Sequence, residues 1–343
     1  MTRPAPYKVA VVGLGYFSAF HIAAWQKINA VRLVSATDPD PKRRVWAADK
    51  FGLAVADSLK CVLENAPDII DIVAPPAAHA GVIRASLAQG RTLICQKPFC
   101  TSLTEADAVT REARKAGTRI IIHENFRFQP WYRAMQGVII SGELGEIYAA
   151  RFALRPGDGR GENAYLGRQP AFQTMPKLLI HETGVHFIDL FRWLLGDVVS
   201  VYADLRRLNP VIKGEDAGLL VMEHATGARS TFDGNRLSDH VSDNPRRTMG
   251  EMVIEGEKGT LSLDGAGRVW KRDFGAQDAI AVDLPFRPDD SFGGGCVAAL
   301  IRHVVEALQG KCAFENEASA YLPVIALTDL AYASDAAGRK LKT

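Results

Sequence analysis

Two segments of the chain carry side chains that could stabilise a negative charge and move a proton. In the first, Lys97 follows the short apolar run 92–95, which is typical of a buried strand. An ammonium group at the carboxyl end of a parallel strand can donate to a substrate oxygen and stabilise a developing alkoxide. The alternative is that Lys97 is an ordinary solvated lysine of a loop.

The second segment lies in residues 178–195, whose apolar periodicity predicts a helix that stops at Gly196. On an α-helix Glu182 and His186 would share one face, and Asp189 could orient the imidazole. Histidine is a natural base for taking a hydroxyl proton near neutral pH. The alternative is a histidine that serves only the core.

These residues do not predict a metal centre. His181 and His186 are five apart and therefore about 140° from sharing one face of an α-helix. Cys95 and Cys100 flank Lys97, but no second cysteine pair completes a zinc site, so we interpret both as packing residues. The five cysteines are an odd number in a long chain, which favours a reducing compartment over a disulfide scaffold.

A glycine-rich turn at 13–18 predicts a dinucleotide site. Gly13 permits the tight turn after the strand 8–12, and Gly15 lets the backbone approach a pyrophosphate. The helix 19–28 behind the turn offers free N–H groups and a positive dipole end. The alternative is a glycine turn in an ordinary α/β protein.

Asp38 follows the second strand, 31–37, and is placed to bind the adenosine ribose hydroxyls. A carboxylate there repels a 2′-phosphate and favours NAD. Since Arg43 and Arg44 follow closely, NADP remains the alternative cofactor.

The rhythm of apolar segments indicates how these residues are positioned. In the first third, short apolar runs alternate with helical segments, which predicts a doubly wound parallel sheet of Rossmann type. From about Gly145 strands follow one another with short turns, and helices at 297–309 and 317–337 close the chain. We therefore predict an α/β protein with a Rossmann domain, 1–125, and a second α/β domain, 126–343, built on a large, open, mainly antiparallel sheet.

Composition excludes several function classes. The 343 residues carry a formal net charge of +2, without the basic footprint of a nucleic-acid-binding protein or a membrane-surface patch. No apolar stretch is long enough to span a bilayer or to form a signal peptide with its cleavage site. We expect a cytoplasmic protein with a small-molecule partner.

Several motifs, in order, resemble the Gfo/Idh/MocA family of oxidoreductases over nearly the whole chain. They are Gly13-Leu14-Gly15-Tyr16-Phe17-Ser18, Gln96-Lys97-Pro98, Asn125-Phe126-Arg127-Phe128-Gln129-Pro130, Glu182-Thr183-Gly184-Val185-His186 with Asp189, and a hairpin at 256–263. The resemblance implies NAD(P), a sugar or polyol substrate, and a homodimer or homotetramer formed through the second sheet.

The resemblance also implies roles for single residues. Lys97 would bind the reacting oxygen and touch the nicotinamide ribose, His186 would be the general acid/base, and Glu182 would place the substrate where the family usually has Asp. Gln96 replaces the family's Glu and removes a negative charge beside Lys97. The residues implied to bind the cofactor are Gly13, Gly15, Tyr16, Phe17, Asp38, Pro75, His79, Gln96, Lys97 and Asn125.

The resulting hypothesis is oxidation of a secondary or anomeric hydroxyl, with Lys97 and His186 converging over the nicotinamide. The long connection 155–177 is expected to cover the substrate, with Tyr165 and Gln169 as contacts. Arg127 is a further candidate, because guanidinium groups suit polyhydroxylated or acidic ligands. The resemblance favours oxidation of an aldose at its anomeric carbon.

Three other functions stay open at this point. The chain could be a catalytically silent nucleotide-binding sensor, an NAD-dependent glycosidase that recycles its cofactor, or a reductase working in the opposite direction. The pair Lys97 and His186 argues against the silent sensor.

Overall fold

The computed structural model describes residues 6–290 and 292–343, which form two compact units. The first unit contains the described residues up to Asn125 together with Val297–Pro323, and the second contains those of Phe126–Cys296 together with Val324–Thr343. The predicted second domain, 126–343, differs from the second unit at residues 297–323. These residues join the first unit because they pair with it: the Tyr7 hydroxyl donates to the Leu308 carbonyl oxygen, and Glu317 bridges Ile121.

The first unit is built from strands and helices that alternate along the chain. They are β1 (Tyr7–Val12), α1 (Ser18–Trp25), β2 (Val31–Thr37), α2 (Pro41–Phe51), α3 (Leu59–Glu64), β3 (Ile69–Ile72), α4 (Pro76–Ala85), β4 (Thr92–Gln96), α5 (Leu103–Lys115) and β5 (Arg119–His123).

The five strands form one parallel sheet in the order β2-β1-β3-β4-β5, and a parallel bridge from Val55 to Ala36 extends it beyond β2. Strands β3 and β4 are buried along their whole length, as expected for a sheet covered on both faces. The strand order reverses direction between β1 and β3. Ligands of such sheets bind at the carboxyl ends of the strands around this point. The predicted doubly wound Rossmann sheet is confirmed.

The second unit carries most of the remaining elements. The elements that follow β5, in chain order, are α6 (Pro130–Ile140), β6 (Ile147–Leu154), α7 (Val185–Leu195), β7 (Val198–Arg206), β8 (Ala217–His224), β9 (Arg229–Asn235), β10 (Gly250–Gly256), β11 (Gly259–Leu263), β12 (Val269–Asp273), β13 (Ile280–Val282), α8 (Cys296–Leu308), α9 (Ala318–Ala337) and β14 (Leu341–Lys342). Helix α8 after Cys296 and helix α9 up to Pro323 belong to the first unit.

The nine strands β6 to β14 form one sheet in the order β13-β12-β11-β10-β6-β9-β8-β7-β14. Every neighbouring pair is antiparallel except β6 and β9, which confirms the predicted large, mainly antiparallel sheet. Helix α7 packs on one face, where the Phe187 ring lies 3.9 Å from the Phe152 ring and 5.2 Å from the Phe232 ring. This aromatic core fixes the helix that carries His186.

Within the described residues, no helix combines the length and the apolar character needed to cross a membrane. The five cysteines are free, and Cys95 and Cys100 are buried, as their interpretation as packing residues requires. Burial raises the pKa of the Cys100 thiol to about 12, which keeps it protonated and unreactive near neutral pH.

Candidate active site

The glycine turn lies directly against the chain that leaves β3. Gly13 has a φ of +96°, and a Cβ added to it would lie 2.6 Å from the Ala74 nitrogen and the Val73 carbonyl carbon. A Cβ on Gly15 would meet only the tip of Arg43, at 3.8 Å. Gly13 is therefore required for packing, whereas Gly15 leaves an open surface in front of the amino terminus of α1. That surface fits the pyrophosphate of a dinucleotide.

Asp38 joins the glycine turn to the end of β2. One carboxylate oxygen accepts from the Leu14 N–H at 2.8 Å, and the other accepts from the Asp40 N–H at 2.9 Å. The guanidinium of Arg43 lies 3.7 Å from this carboxylate, and that of Arg44 donates to the Asp38 carbonyl oxygen. The structure thus brings Gly13, Gly15 and Asp38 together at the strand ends where a dinucleotide is expected.

The two aromatic residues of the turn differ in their surroundings. Tyr16 is half exposed, at 52%, and is available to a ligand. Phe17 packs edge-on against the rings of His21 and His123. Their predicted contacts with the cofactor stay predictions.

The glycine pair offers a direct stability test. Gly13→Ala is expected to lower the free energy of unfolding by about 2 kcal/mol or more, because it combines a strained positive φ with a backbone clash. Gly15→Ala is the matched control and should stay within about 0.5 kcal/mol of wild type. Urea unfolding of both variants measures the difference. Equal stability of the two variants would contradict the packing derived for Gly13.

The turn that carries Lys97 follows β4 at the same edge of the sheet. The Lys97–Pro98 peptide bond is cis. The side-chain oxygen of Gln96 accepts from the Lys97 backbone N–H at 3.0 Å, and Gln96 itself is buried. Lys97 is partly exposed, as a residue that meets a ligand must be.

His79 braces this turn. Its ring is fully buried, with Nδ1 3.0 Å from the Phe99 carbonyl oxygen and Nε2 2.8 Å from that of Ala74. Burial lowers the pKa of His79, although the contacts with Ala74 and Phe99 act in the opposite direction. The observed role of His79 is to hold the segment after β3 against the turn after β4. Its predicted contact with the nicotinamide stays a prediction, as do those of the exposed Pro75 and the buried Asn125.

In the second unit His186 stands in the first turn of α7 and is held by an aromatic stack. Its ring lies parallel to that of Phe126, with 3.9 Å between the centroids, and it is 6% exposed. Phe126 in turn packs edge-on against Phe187. The motif 125–130 thus supplies the surface on which the imidazole rests, a role that sequence reasoning missed.

Arg127 of the same motif forms an ion pair with Asp189 of α7. Nε and Nη2 of Arg127 each donate to one oxygen of Asp189 at 2.5 Å, a bidentate geometry, and Asp189 is fully buried. Asp189 was expected to orient the imidazole and Arg127 to bind substrate. The contacts show both residues in a structural pair, and their functional roles stay predictions.

The helix before His186 departs from the predicted form. Residues Leu179–Gly184 form a π-helix, and α-helical geometry begins only at Val185. The expectation that Glu182 and His186 share one face assumed α-helical spacing, and with the wider π-turn it stays a prediction. The separation of about 140° between His181 and His186 likewise assumed an α-helix and does not apply to the π-turn. Glu182 is partly exposed, and π-turns of this kind occur frequently at functional sites.

A buried arginine that the sequence did not reveal organises the loop 155–177. Arg236, 1% exposed, donates to the Tyr165 hydroxyl at 2.7 Å, to Asp158 at 3.0 Å and to the Thr183 hydroxyl at 2.8 Å. It therefore ties this loop to the π-turn that carries Glu182.

Tyr165 belongs to the small core under this loop. It packs with Ala164, Phe172, Leu178 and Ile212, and burial raises the pKa of its hydroxyl to about 12. Its observed role is structural, and its predicted contact with substrate stays a prediction. Gln169 is partly exposed on the same loop, and its predicted contact also stays a prediction.

In the described part of the chain, no group of three or more His, Cys, Asp or Glu side chains is arranged to hold a metal ion.

Comparison with known proteins agrees with this geometry. A family model described as an oxidoreductase family with an NAD-binding Rossmann fold matches residues 7–124, and a Gfo/Idh/MocA C-terminal domain model matches residues 132–262. Among the relatives, a D-apiose dehydrogenase from Rhizobium rhizogenes is 31% identical over 264 residues, which cover 76% of this chain and 74% of that protein. A D-apiose dehydrogenase from Paraburkholderia graminis is 28% identical over 98% of this chain and 89% of that protein.

Solved structures show the same likeness. An oxidoreductase from Agrobacterium radiobacter, in complex with NAD+, L-tartaric acid and magnesium, has a TM-score of 0.89 and 27% identity, with 98% of each chain covered. The WlbA dehydrogenase from Bordetella pertussis, at 22% identity and a TM-score of 0.80 over 100% of this chain and 99% of that one, shares the fold.

Proposed function

Since the chain belongs to the Gfo/Idh/MocA family of oxidoreductases with an NAD-binding Rossmann fold, we propose that it oxidises a hydroxyl group of a sugar or polyol and transfers the hydride to NAD. The observation that carries this proposal is the position of Lys97. It leaves the sheet at the carboxyl end of β4, on the edge where Gly13, Gly15 and Asp38 form a dinucleotide cradle. A cation on that edge lies where an oxygen of the reacting substrate is expected.

The proposed chemistry divides between two side chains. Bound NAD supplies the hydride acceptor. Lys97 donates a hydrogen bond to the reacting oxygen and stabilises its growing negative charge. His186, resting on Phe126, removes the hydroxyl proton as general base. Glu182, on the π-turn, orients the substrate hydroxyls.

The substrate class we favour is an aldose oxidised at its anomeric carbon. The two D-apiose dehydrogenases support this choice, since the match covers 74% and 89% of their lengths. Asp38 favours NAD over NADP, because its carboxylate would lie beside the 2′-phosphate. A homodimer or homotetramer formed through the nine-stranded sheet and a cytoplasmic location stay predictions.

A panel of aldoses and polyols tests the proposal, with NAD and NADP compared by nicotinamide absorbance. We expect NADH formation with at least one aldose, D-apiose included, and a preference for NAD of about tenfold or more, since 1.4 kcal/mol of repulsion corresponds to tenfold. A reductase is revealed by the reverse reaction with NADH.

Two outcomes would overturn the assignment. Release of an aglycone from a glycoside without net NADH would identify an NAD-dependent glycosidase. Tight NAD binding with no turnover in either direction on the whole panel would identify a nucleotide-binding sensor.

A further inference from the structure

A buried network of polar side chains stands behind the turn that carries Lys97. Gln96 Nε2 lies 2.9 Å from His21 Nε2 and 3.2 Å from His123 Nδ1. His21 Nδ1 lies 2.8 Å from Asp71 Oδ2, which also accepts from the Trp25 indole at 2.7 Å. These residues come from α1, β3, β4 and β5 and are nearly or fully buried. The network therefore spans the core of the first unit and ends at Lys97.

The Lys97 backbone fixes the orientation of the Gln96 amide. A peptide N–H can only donate, so the atom that meets it at 3.0 Å must be the side-chain oxygen of Gln96. The amide nitrogen then faces both imidazoles and offers one hydrogen to each. His21 Nε2 and His123 Nδ1 are consequently acceptors, which assigns their tautomers.

Asp71 completes the assignment. A carboxylate oxygen accepts, so His21 Nδ1 carries the proton that meets Asp71 Oδ2. With Nε2 accepting from Gln96, the His21 ring holds one proton and is neutral. If His21 were an imidazolium, its Nε2–H would face the amide N–H of Gln96, so that two donors would meet. Rotating the Gln96 amide by 180° would remove this contact but would place the amide N–H against the Lys97 N–H.

We infer that Gln96 is a positioning residue for Lys97, and that His21, His123 and Asp71 fix its amide in the orientation that holds the Lys97 backbone. The inference rests on the proposed function of Lys97. A glutamate at this position would have no hydrogen to give to either imidazole when ionised. The amide and the two accepting imidazoles therefore form a matched set, and the side chain next to Lys97 bears no charge.

The functional test compares Gln96→Leu with Gln96→Glu. Gln96→Leu removes the acceptor of the Lys97 N–H, so kcat is expected to fall about 10- to 100-fold, the effect of a small misplacement of a reacting group. The Kd for NAD should change less than kcat does, because Gly13, Gly15 and Asp38 of the dinucleotide cradle are untouched. Gln96→Glu keeps an acceptor for Lys97 and should restore at least part of kcat.

Thr118→Val is the control for general destabilisation. The buried Thr118 hydroxyl bonds both the N–H and the carbonyl oxygen of Ala88, away from Lys97, so this variant should lose stability and keep kcat. An unchanged kcat in Gln96→Leu would overturn the inference. An equal loss of kcat in Thr118→Val at equal loss of melting temperature would do the same.

Selective ¹⁵N labelling of histidine and lysine gives a readout that does not depend on turnover. In the wild type, His21 should carry its proton on Nδ1 only, and the Lys97 amide should exchange slowly with solvent. In Gln96→Glu the amide donor is gone, so the ¹⁵N shifts of the His21 and His123 rings should both change.

In Gln96→Leu the Lys97 amide should exchange faster. A wild-type His21 with its proton on Nε2, or an unchanged Lys97 exchange rate in Gln96→Leu, would refute the network. If the wild type oxidises no sugar, the proposed function fails, and the network is judged by these spectra alone.

Discussion

Lys97→Met is expected to lower kcat by about 10²- to 10³-fold, the usual cost of removing one charge-stabilising donor from an active site. Methionine keeps a long apolar stem of similar length, so the turn between β4 and Pro98 can retain its packing. The Kd for NAD should rise less than tenfold, because Gly13, Gly15 and Asp38 supply the cradle. Steady-state kinetics on the best substrate of the panel, with calorimetric titration of NAD, measures both quantities.

Lys115→Met is the matched control for this substitution. Lys115 lies exposed in the last turn of α5, and its replacement should leave kcat within twofold of wild type. Loss of kcat in both variants would point to a general effect of removing a cation. Full activity of Lys97→Met would remove Lys97 from the proposed chemistry.

The sequence predicted the scaffold well because the physical signals were local. Strands buried on both faces form continuous apolar runs, so β1 and β4 could be placed within one residue. Asp40 followed by Pro41 is a local pattern typical of a helix start, and α2 does begin at Pro41, where the Asp40 side chain accepts from the Lys42 N–H. Where a single residue type and its neighbours determine the backbone, sequence is sufficient.

The parts that the sequence did not reveal depend on distant partners. Arg236 lies 71 positions from Tyr165 in the chain, yet its guanidinium holds the loop and the π-turn together. The apolar period of residues 178–195 is compatible with both α- and π-geometry, so the wide turn at Leu179–Gly184 left no trace in the pattern. Residues 297–323 joined the first unit through pairings such as Ile121 with Glu317, which periodicity does not report.

The candidate site also divides into residues that the sequence pointed to and contacts that it did not reveal. The sequence pointed to Lys97 and His186 as candidates by residue type and by their places at the ends of elements, and their roles stay predictions. It did not reveal that Phe126 stacks on His186, or that Gln96 links Lys97 to His21. Predicting such side-chain contacts requires the three-dimensional arrangement of several strands. Candidate reactive groups, in contrast, can be proposed from their residue types alone.

His186→Phe is expected to lower kcat by about 10²- to 10⁴-fold, the range that general acid–base catalysis contributes. Phenylalanine keeps an aromatic ring on Phe126 and removes both ring nitrogens, so packing and proton transfer are separated in one substitution. The melting temperature and the Kd for NAD should stay close to wild type. If His186→Phe does not fold, His186→Gln removes the imidazole base and keeps a polar side chain at this position.

Phe126→Leu is the converse variant, because it removes the stack and leaves the imidazole in place. We expect a loss of stability of about 1 kcal/mol or more from the missing ring contact and core volume, with kcat reduced tenfold or less. If His186 transfers the proton, His186→Phe must be stable and inactive, whereas Phe126→Leu must be less stable and active. A stable, fully active His186→Phe would show that the imidazole serves only the core, because the ring would then matter and its nitrogens would not.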